Sequence, residues 1–173
     1  EAARRAAAAP WLLEARGRWD VPDTPMTLTG TADRIDIGAD GMARIYDYKS
    51  GKPPTEAEER AFNKQLWLEA LMLEAGAFDG QDGPLLVAHM AYIGLGATPE
   101  IREIDPQPGD LAEVLAGFRR LLVSYGDPRT GYAARRAVAR VNWSLDFDHL
   151  ARFGEWADSD TPVVIEVGGG GDD

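Results

Sequence analysis

Three side chains in two short stretches carry the chemistry of this sequence: Asp33 within Gly30-Thr-Ala-Asp33-Arg-Ile-Asp36-Ile37, and Asp47 and Lys49 within Ile45-Tyr-Asp47-Tyr-Lys49-Ser-Gly51. Both stretches alternate as strands do and are joined by Gly38-Ala-Asp-Gly41. If the loop is Ala39-Asp40-Gly41, with Gly41 supplying a positive φ, residue 38 faces residue 42 and Asp33 stands opposite Asp47. Directly opposed residues have Cβ atoms ~4.5–5.5 Å apart, and like charges there are destabilising unless something compensates. A divalent cation would. Lys49 follows Asp47 by two residues and falls on the same face, opposite Thr31. Ile35 with Ile45, and Ile37 with Ala43, make the other end of that face apolar. On the reverse face Asp36 lies across from Arg44 and Arg34 across from Tyr46, ordinary cross-strand pairs. A two-residue loop would shift the register by one and send Asp33 to the far face, so the register is a checkable expectation.

Two carboxylates and a lysine suit a hard cation such as Mg²⁺, or Mn²⁺, whose shell is completed by substrate oxygens and water. The matching reaction is phosphodiester hydrolysis, in which the metal acidifies a bound water and offsets charge on the phosphate. Lys49 would orient that water or stabilise the transition state. Of 18 basic residues only Lys49, Lys52 and Lys64 are lysine, so a lysine at this point stands out against a habit of arginine.

The elements that must position these groups follow from local signals. Residues 15–21, 26–37 and 42–49 read as strands. Ser50-Gly-Lys-Pro-Pro54 ends the sheet, and Thr55 with Glu58 forms a capping box for one helix running to about Gly76, apolar on several faces through Phe62, Leu66, Trp67, Leu68, Leu71, Met72 and Leu73. Residues 85–95 read as a central strand and 100–104 as its short partner. Asp110 and Glu113 repeat the capping pattern for a helix ending near Tyr125-Gly126, and Asp146 caps a last helix over 147–157. The fold class is α/β: a mixed α+β sheet flanked by helices, without the glycine loop of a Rossmann fold. Residues 1–14 read as the end of an upstream helix, 15–158 as the domain, and 159–173 as a terminal segment with a flexible Gly-rich tail.

Composition bounds the rest. At 173 residues, 45% hydrophobic and 27% charged, the chain is long enough for one domain with a real core. It has no cysteine, which excludes disulfides, thiolate zinc and iron–sulfur ligation from within it. No stretch is apolar and long enough to span a membrane and no signal peptide is evident, so a cytoplasmic setting is expected. A net charge of -11 argues against an independent nucleic-acid binder. Yet no acid occurs between Asp127 and Asp146, a segment carrying Arg129, Arg135, Arg136 and Arg140. Two readings stand side by side: a solvated basic face, or a track for backbone phosphates.

Gly30-x-x-Asp33, Asp47-Tyr48-Lys49-Ser-Gly and the helical Gln65-Leu resemble the PD-(D/E)XK nuclease superfamily in its RecB-like branch. The wider run from Asp47 through Lys64-Gln-Leu-Trp-Leu-Glu-Ala70, with Gly131-Tyr and Asp146-Phe-Asp-His-Leu-Ala-Arg152, resembles the carboxy-terminal AddB-type nuclease domains of alphaproteobacterial helicase-nucleases. The resemblance implies a restriction-endonuclease-like core, with Asp33, Asp47 and the Tyr48 carbonyl as metal ligands. Lys49 would assist the attacking water, and Gln65 would contact the active site or the DNA. It implies Mg²⁺-dependent exonuclease-type hydrolysis of DNA during double-strand break repair, in a bacterial, nucleoid-associated setting. The partners implied are DNA, an AddA-like helicase-nuclease subunit and the upstream part of the same chain. The sequence departs from the branch in three ways: Glu69 replaces the tyrosine of Gln-x-x-x-Tyr, the cluster cysteines are absent, and Glu14 is the only local stand-in for an upstream acidic residue.

Other conspicuous residues have plainer readings. Glu14 and Asp36 read as structural, Trp67 and Met72 as helical core, and His89 and His149 have no metal partner at useful spacing. A stand-alone RecB-like exonuclease and a catalytically inactive DNA-guiding module of the same fold remain as alternatives.

Overall fold

A computed structural model describes residues 8–131 and 160–161. The chain divides into two units, residues 1–124 and 125–173, and the sheet belongs to the first. Its five strands are β1 (Ala8–Asp20), β2 (Thr27–Gly38), β3 (Ala43–Lys49), β4 (Val87–Gly94) and β5 (Glu100–Ile104), hydrogen-bonded in sequence order. Neighbours are antiparallel except β3 and β4. The parallel pair requires a crossover, supplied by α1 (Glu56–Ala61) and α2 (Gln65–Glu74); α3 (Asp110–Gly126) follows β5. None of the described helices is long and apolar enough to cross a membrane.

The β2–β3 register is the expected one. Arg34 pairs with Tyr46, Ile35 with Ile45, Asp36 with Arg44 and Ile37 with Ala43, around a turn in which Gly41 has φ 75°. Ile35, Ile45 and Ala43 are fully buried, joined by Leu66, Met72, Leu73, Met90 and Tyr92 in the core between sheet and α2.

Three expectations change. Residues 8–14 are the start of β1 and not the end of a helix, because Ala8, Ala9 and Pro10 pair with Gly38, Ile37 and Asp36. Tertiary pairing overrides the helical preference of alanine, and Pro10 fits because β1 is an edge strand with an irregularity before Leu12. The single helix expected from residue 56 to 76 is two. Thr55 and Glu58 form the capping box, but the helix ends at Phe62 and restarts at Gln65. Across the break the Tyr92 hydroxyl donates to Asn63 Oδ1 at 2.9 Å and accepts from the Leu66 N–H at 3.4 Å, contacts between distant parts of the chain. The reverse face of the hairpin is not ordinary either. Asp36 is completely buried and both its oxygens accept from Arg34 at 2.6 Å, while Arg44 turns to Asp40. The last helix expected, 147–157, lies outside the described residues.

Trp67 is core as expected, and its indole N–H is satisfied by Glu59 at 2.6 Å, whose other oxygen accepts from Arg102 at 2.7 Å. Gly94, the β4 partner of Lys49, is needed for close approach: a Cβ there would stand 2.7 Å from both the Gly51 carbonyl oxygen and Pro53 Cδ. Gly94→Ala should therefore force the 50–53 loop off the sheet and strain the Leu95 N–H to Lys49 carbonyl bond of 2.8 Å. A loss of ~1–3 kcal/mol in urea unfolding is expected, the usual cost of overpacking.

Candidate active site

The site forms where the β2–β3 ladder stops. Its last pair is Arg34 with Tyr46, one residue short of Asp33 and Asp47. Asp33 therefore does not meet Asp47 as a laddered pair; its Oδ2 accepts from the Tyr48 N–H at 2.8 Å, in place of a strand carbonyl. The strands part where two like charges would otherwise be forced together, and β3 continues on its other side beside β4 as far as Lys49 with Gly94. The carboxyl end of β3 thus carries no ladder on the β2 side, where Asp33 takes the Tyr48 N–H instead.

Asp47 is buried, 2% exposed, and held by two groups. Its Oδ1 accepts from Gln65 Nε2 at 2.6 Å, and its Oδ2 lies 2.9 Å from the Lys49 ammonium, in charge contact but out of line for a hydrogen bond. Burial pushes the Asp47 carboxyl up, Lys49 opposes this, and the nearby charge of Asp33 adds to the rise. Lys49 also donates to Gln65 Oε1 at 2.8 Å and stands 5.5 Å over the Tyr92 ring. Gln65 is the first residue of α2, so the helix break is what brings it to the strand end.

The expected set of Asp33, Asp47, Tyr48, Lys49 and Gln65 is therefore brought together. Glu69 joins it, which the sequence reading missed. It fills the position of the absent tyrosine, and its Oε1 accepts from the same Gln65 Nε2 at 3.0 Å. The signal was present in the i, i+4 spacing from Gln65, which puts both side chains on one helix face. Glu69 is 5% exposed; burial raises its pKa to about 7, helped by the charges of Asp47 and Asp33. Glu14 is exposed on β1, with φ 48°, between the pairs Leu13–Arg34 and Ala15–Ala32, and so at the register position of Asp33. Arg129, in the second unit, is exposed with its guanidinium closed on Asp127 at 2.8 Å. Arg135, Arg136 and Arg140 lie outside the described residues.

The donor set fits a hard cation. Asp47 Oδ2 is a buried carboxylate oxygen without a hydrogen-bond partner among the described residues, faced by the Lys49 ammonium at 2.9 Å. Hard anionic oxygens at the end of a strand, with Asp33 beside them, are the donor type that a hard divalent cation takes. Among the described residues no three His, Cys, Asp or Glu side chains are grouped closely enough to hold an ion by themselves. A backbone carbonyl, water or substrate must complete the shell, as is usual for Mg²⁺.

A mixed five-stranded sheet with a helical crossover, and an Asp47-x-Lys49 pair at the end of its third strand beside Asp33, define a restriction-endonuclease-like α/β fold. The profile of the PD-(D/E)XK nuclease superfamily matches residues 1–152, and the chain belongs to that superfamily. It is also 34% identical over 87 residues to an uncharacterized protein of Rickettsia felis, a stretch covering 49% of this chain and 10% of that protein. The chain thus matches about a tenth of that relative's length.

Proposed function

We propose that this domain is a divalent-metal-dependent DNA nuclease of the RecB-like branch, of the AddB type. Its setting would be the resection of double-strand breaks in the bacterial cytoplasm, with the strand delivered by an AddA-like helicase-nuclease partner. The observation that carries the reading is the convergence of Asp33, Asp47, Lys49 and Gln65 at one strand end, with a buried carboxylate oxygen of Asp47 lacking a hydrogen bond.

In this reading Asp33, Asp47 and the Tyr48 carbonyl would hold Mg²⁺ or Mn²⁺. When bound, the ion would polarise the phosphate and lower the pKa of a coordinated water. Lys49 donates one hydrogen bond, to Gln65, and faces Asp47 as an ion pair, so its other N–H groups would hold the attacking water or a phosphate oxygen. Gln65 fixes both Lys49 and Asp47 through one amide, so the acid and the base-side donor keep a constant spacing. The branch-specific support is in the sequence: the Gly30-x-x-Asp33 and Asp47-Tyr-Lys-Ser-Gly motifs and Gln65. Arg129, Arg135, Arg136 and Arg140 belong to the proposal as contacts to the DNA backbone, although Arg129 is locally neutralised by Asp127.

The test is Mg²⁺ and Mn²⁺ titration with single-stranded and duplex DNA, comparing wild type with Lys49→Ala. Metal-dependent cleavage that falls about a hundredfold or more in the variant is expected, the usual effect of removing one transition-state donor. Equal cleavage by both proteins would overturn the assignment of Lys49.

A further inference from the structure

Gln65 is an amide asked to present opposite ends to opposite partners. Its oxygen accepts from the Lys49 ammonium at 2.8 Å, and its nitrogen donates to Asp47 at 2.6 Å and to Glu69 at 3.0 Å. If the amide turned over, its NH₂ would face an ammonium and its oxygen the Asp47 carboxylate, so both contacts would become repulsive and Glu69 Oε1 would lose its donor. Glu69 is well placed to prevent this. It lies one helical turn beyond Gln65, is more than nine-tenths buried, and offers an acceptor that cannot swing to solvent. Its contact in the site is to the Gln65 amide, through Oε1. A buried carboxylate with one oxygen unpartnered is expensive for a fold, so its presence here calls for a role.

We infer that Glu69 is a positioning residue that locks the Gln65 amide, directing the amide oxygen to Lys49 and the amide nitrogen to Asp47. The inference rests on the reading of Lys49 and Asp47 as reacting groups. In a helix that starts at Gln65, the first side chain has no preceding turn to pack against. Glu69 supplies that constraint from the following turn.

The sequence makes the test tractable. The chain has three glutamines, Gln65, Gln81 and Gln107, and three lysines, Lys49, Lys52 and Lys64, so side-chain NMR signals of each type are few. In metal-free, DNA-free protein, both Gln65 amide protons should exchange slowly, and the Lys49 ammonium should stand apart from Lys52 and Lys64. Glu69→Met keeps the length and removes the acceptor. The slow Gln65 proton facing residue 69 should then lose about tenfold of its protection, the size of one lost hydrogen bond, and the Lys49 signal should move toward the other two. Glu69→Gln keeps a carbonyl acceptor and should restore both signals. A purely structural role predicts the reverse order, because the apolar methionine suits a buried site better than an amide. Unchanged Gln65 and Lys49 signals in Glu69→Met, or a glutamine variant no better than the methionine one, would overturn the inference. Backbone amide spectra show that each variant is folded. These readings need no turnover, so a domain that fails to cleave DNA while showing the lock would sink the nuclease reading alone.

Discussion

Asp47→Asn should abolish metal-dependent cleavage, by at least about a thousandfold, while leaving the fold as stable as before or slightly more so. The two effects have different origins. On the proposed mechanism Asp47 is the ligand for which nothing else substitutes: it is 2% exposed, its Oδ1 is fixed by Gln65, and its Oδ2 has no hydrogen bond. An amide there is neutral and a weaker donor of electrons to a hard cation. For the fold, Asp47 is a liability: burial pushes its carboxyl up, which means the charged form costs free energy. The exchange leaves Lys49 facing a neutral partner, but that lysine is still held by Gln65 and is partly exposed. The net change should stay within about 1 kcal/mol. Cleavage rate and thermal melting measured on one preparation check both halves. A variant that unfolds several degrees early would make Asp47 a structural carboxylate, and one that still cleaves would remove it from the site.

The second large effect concerns acidity. In chelated buffer, Glu69→Gln should match wild type in stability near pH 4 and exceed it progressively as pH rises. Burial raises the Glu69 pKa from 4.5 to about 7, so between these values the folded state holds a proton that the unfolded chain has released. The contribution of Glu69 is therefore complete below about pH 4.5 and is lost as pH rises through 7. Glutamine has no proton to lose. The gap between the two proteins should open across this window and level off above it, at a size on the order of 3 kcal/mol. Urea denaturation at half-unit steps from pH 4 to 8.5 measures it. A gap that stays flat with pH would mean that Glu69 titrates as an ordinary carboxylate. The same residue thus weakens the fold at neutral pH and, by the inference above, orders the site. Function and stability pull in opposite directions at this position.

What the sequence made legible was local. The hairpin register followed from where a positive-φ glycine fell in a short loop, and Gly41 has the required φ of 75°. The Thr55–Glu58 capping box and the span of α3 followed from residues within one turn of each other. What escaped was settled across distance. No pattern around Asn63 announces a break, because the break is fixed by Tyr92, 29 positions away in the chain. The alanines at Ala8 and Ala9 favour helix in isolation and become strand only because β2 offers them a partner. Arg34 and Asp36 look like two surface residues of one strand, yet both are buried in the fold. The site itself was readable as far as its chemistry lay in the hairpin. Glu69 stands where the branch has a tyrosine, and only its burial beside Gln65, one turn before it, makes it part of the site.

The parting of β2 from β3 also has a geometric side. Beyond Arg34, β2 goes on pairing with β1 alone, from Ala15–Ala32 to Asp20–Thr27, as a two-stranded arm. The arm leans on α2 and the segment after it, where Gly17 admits Met72 and Phe78, and at its root lies the buried Arg34–Asp36 pair. Asp33 is the first residue on the arm side of that pair, whereas Asp47, Lys49 and Gln65 belong to the body. The arm is stitched to the segment after α2 by the Arg18 N–H to Ala77 carbonyl and Asp79 N–H to Arg16 carbonyl bonds, and Asp33 itself is tied to the body by the Tyr48 N–H. The distance between the two carboxylates is therefore set by how two separately paired strands are packed onto one body, and not by a shared ladder.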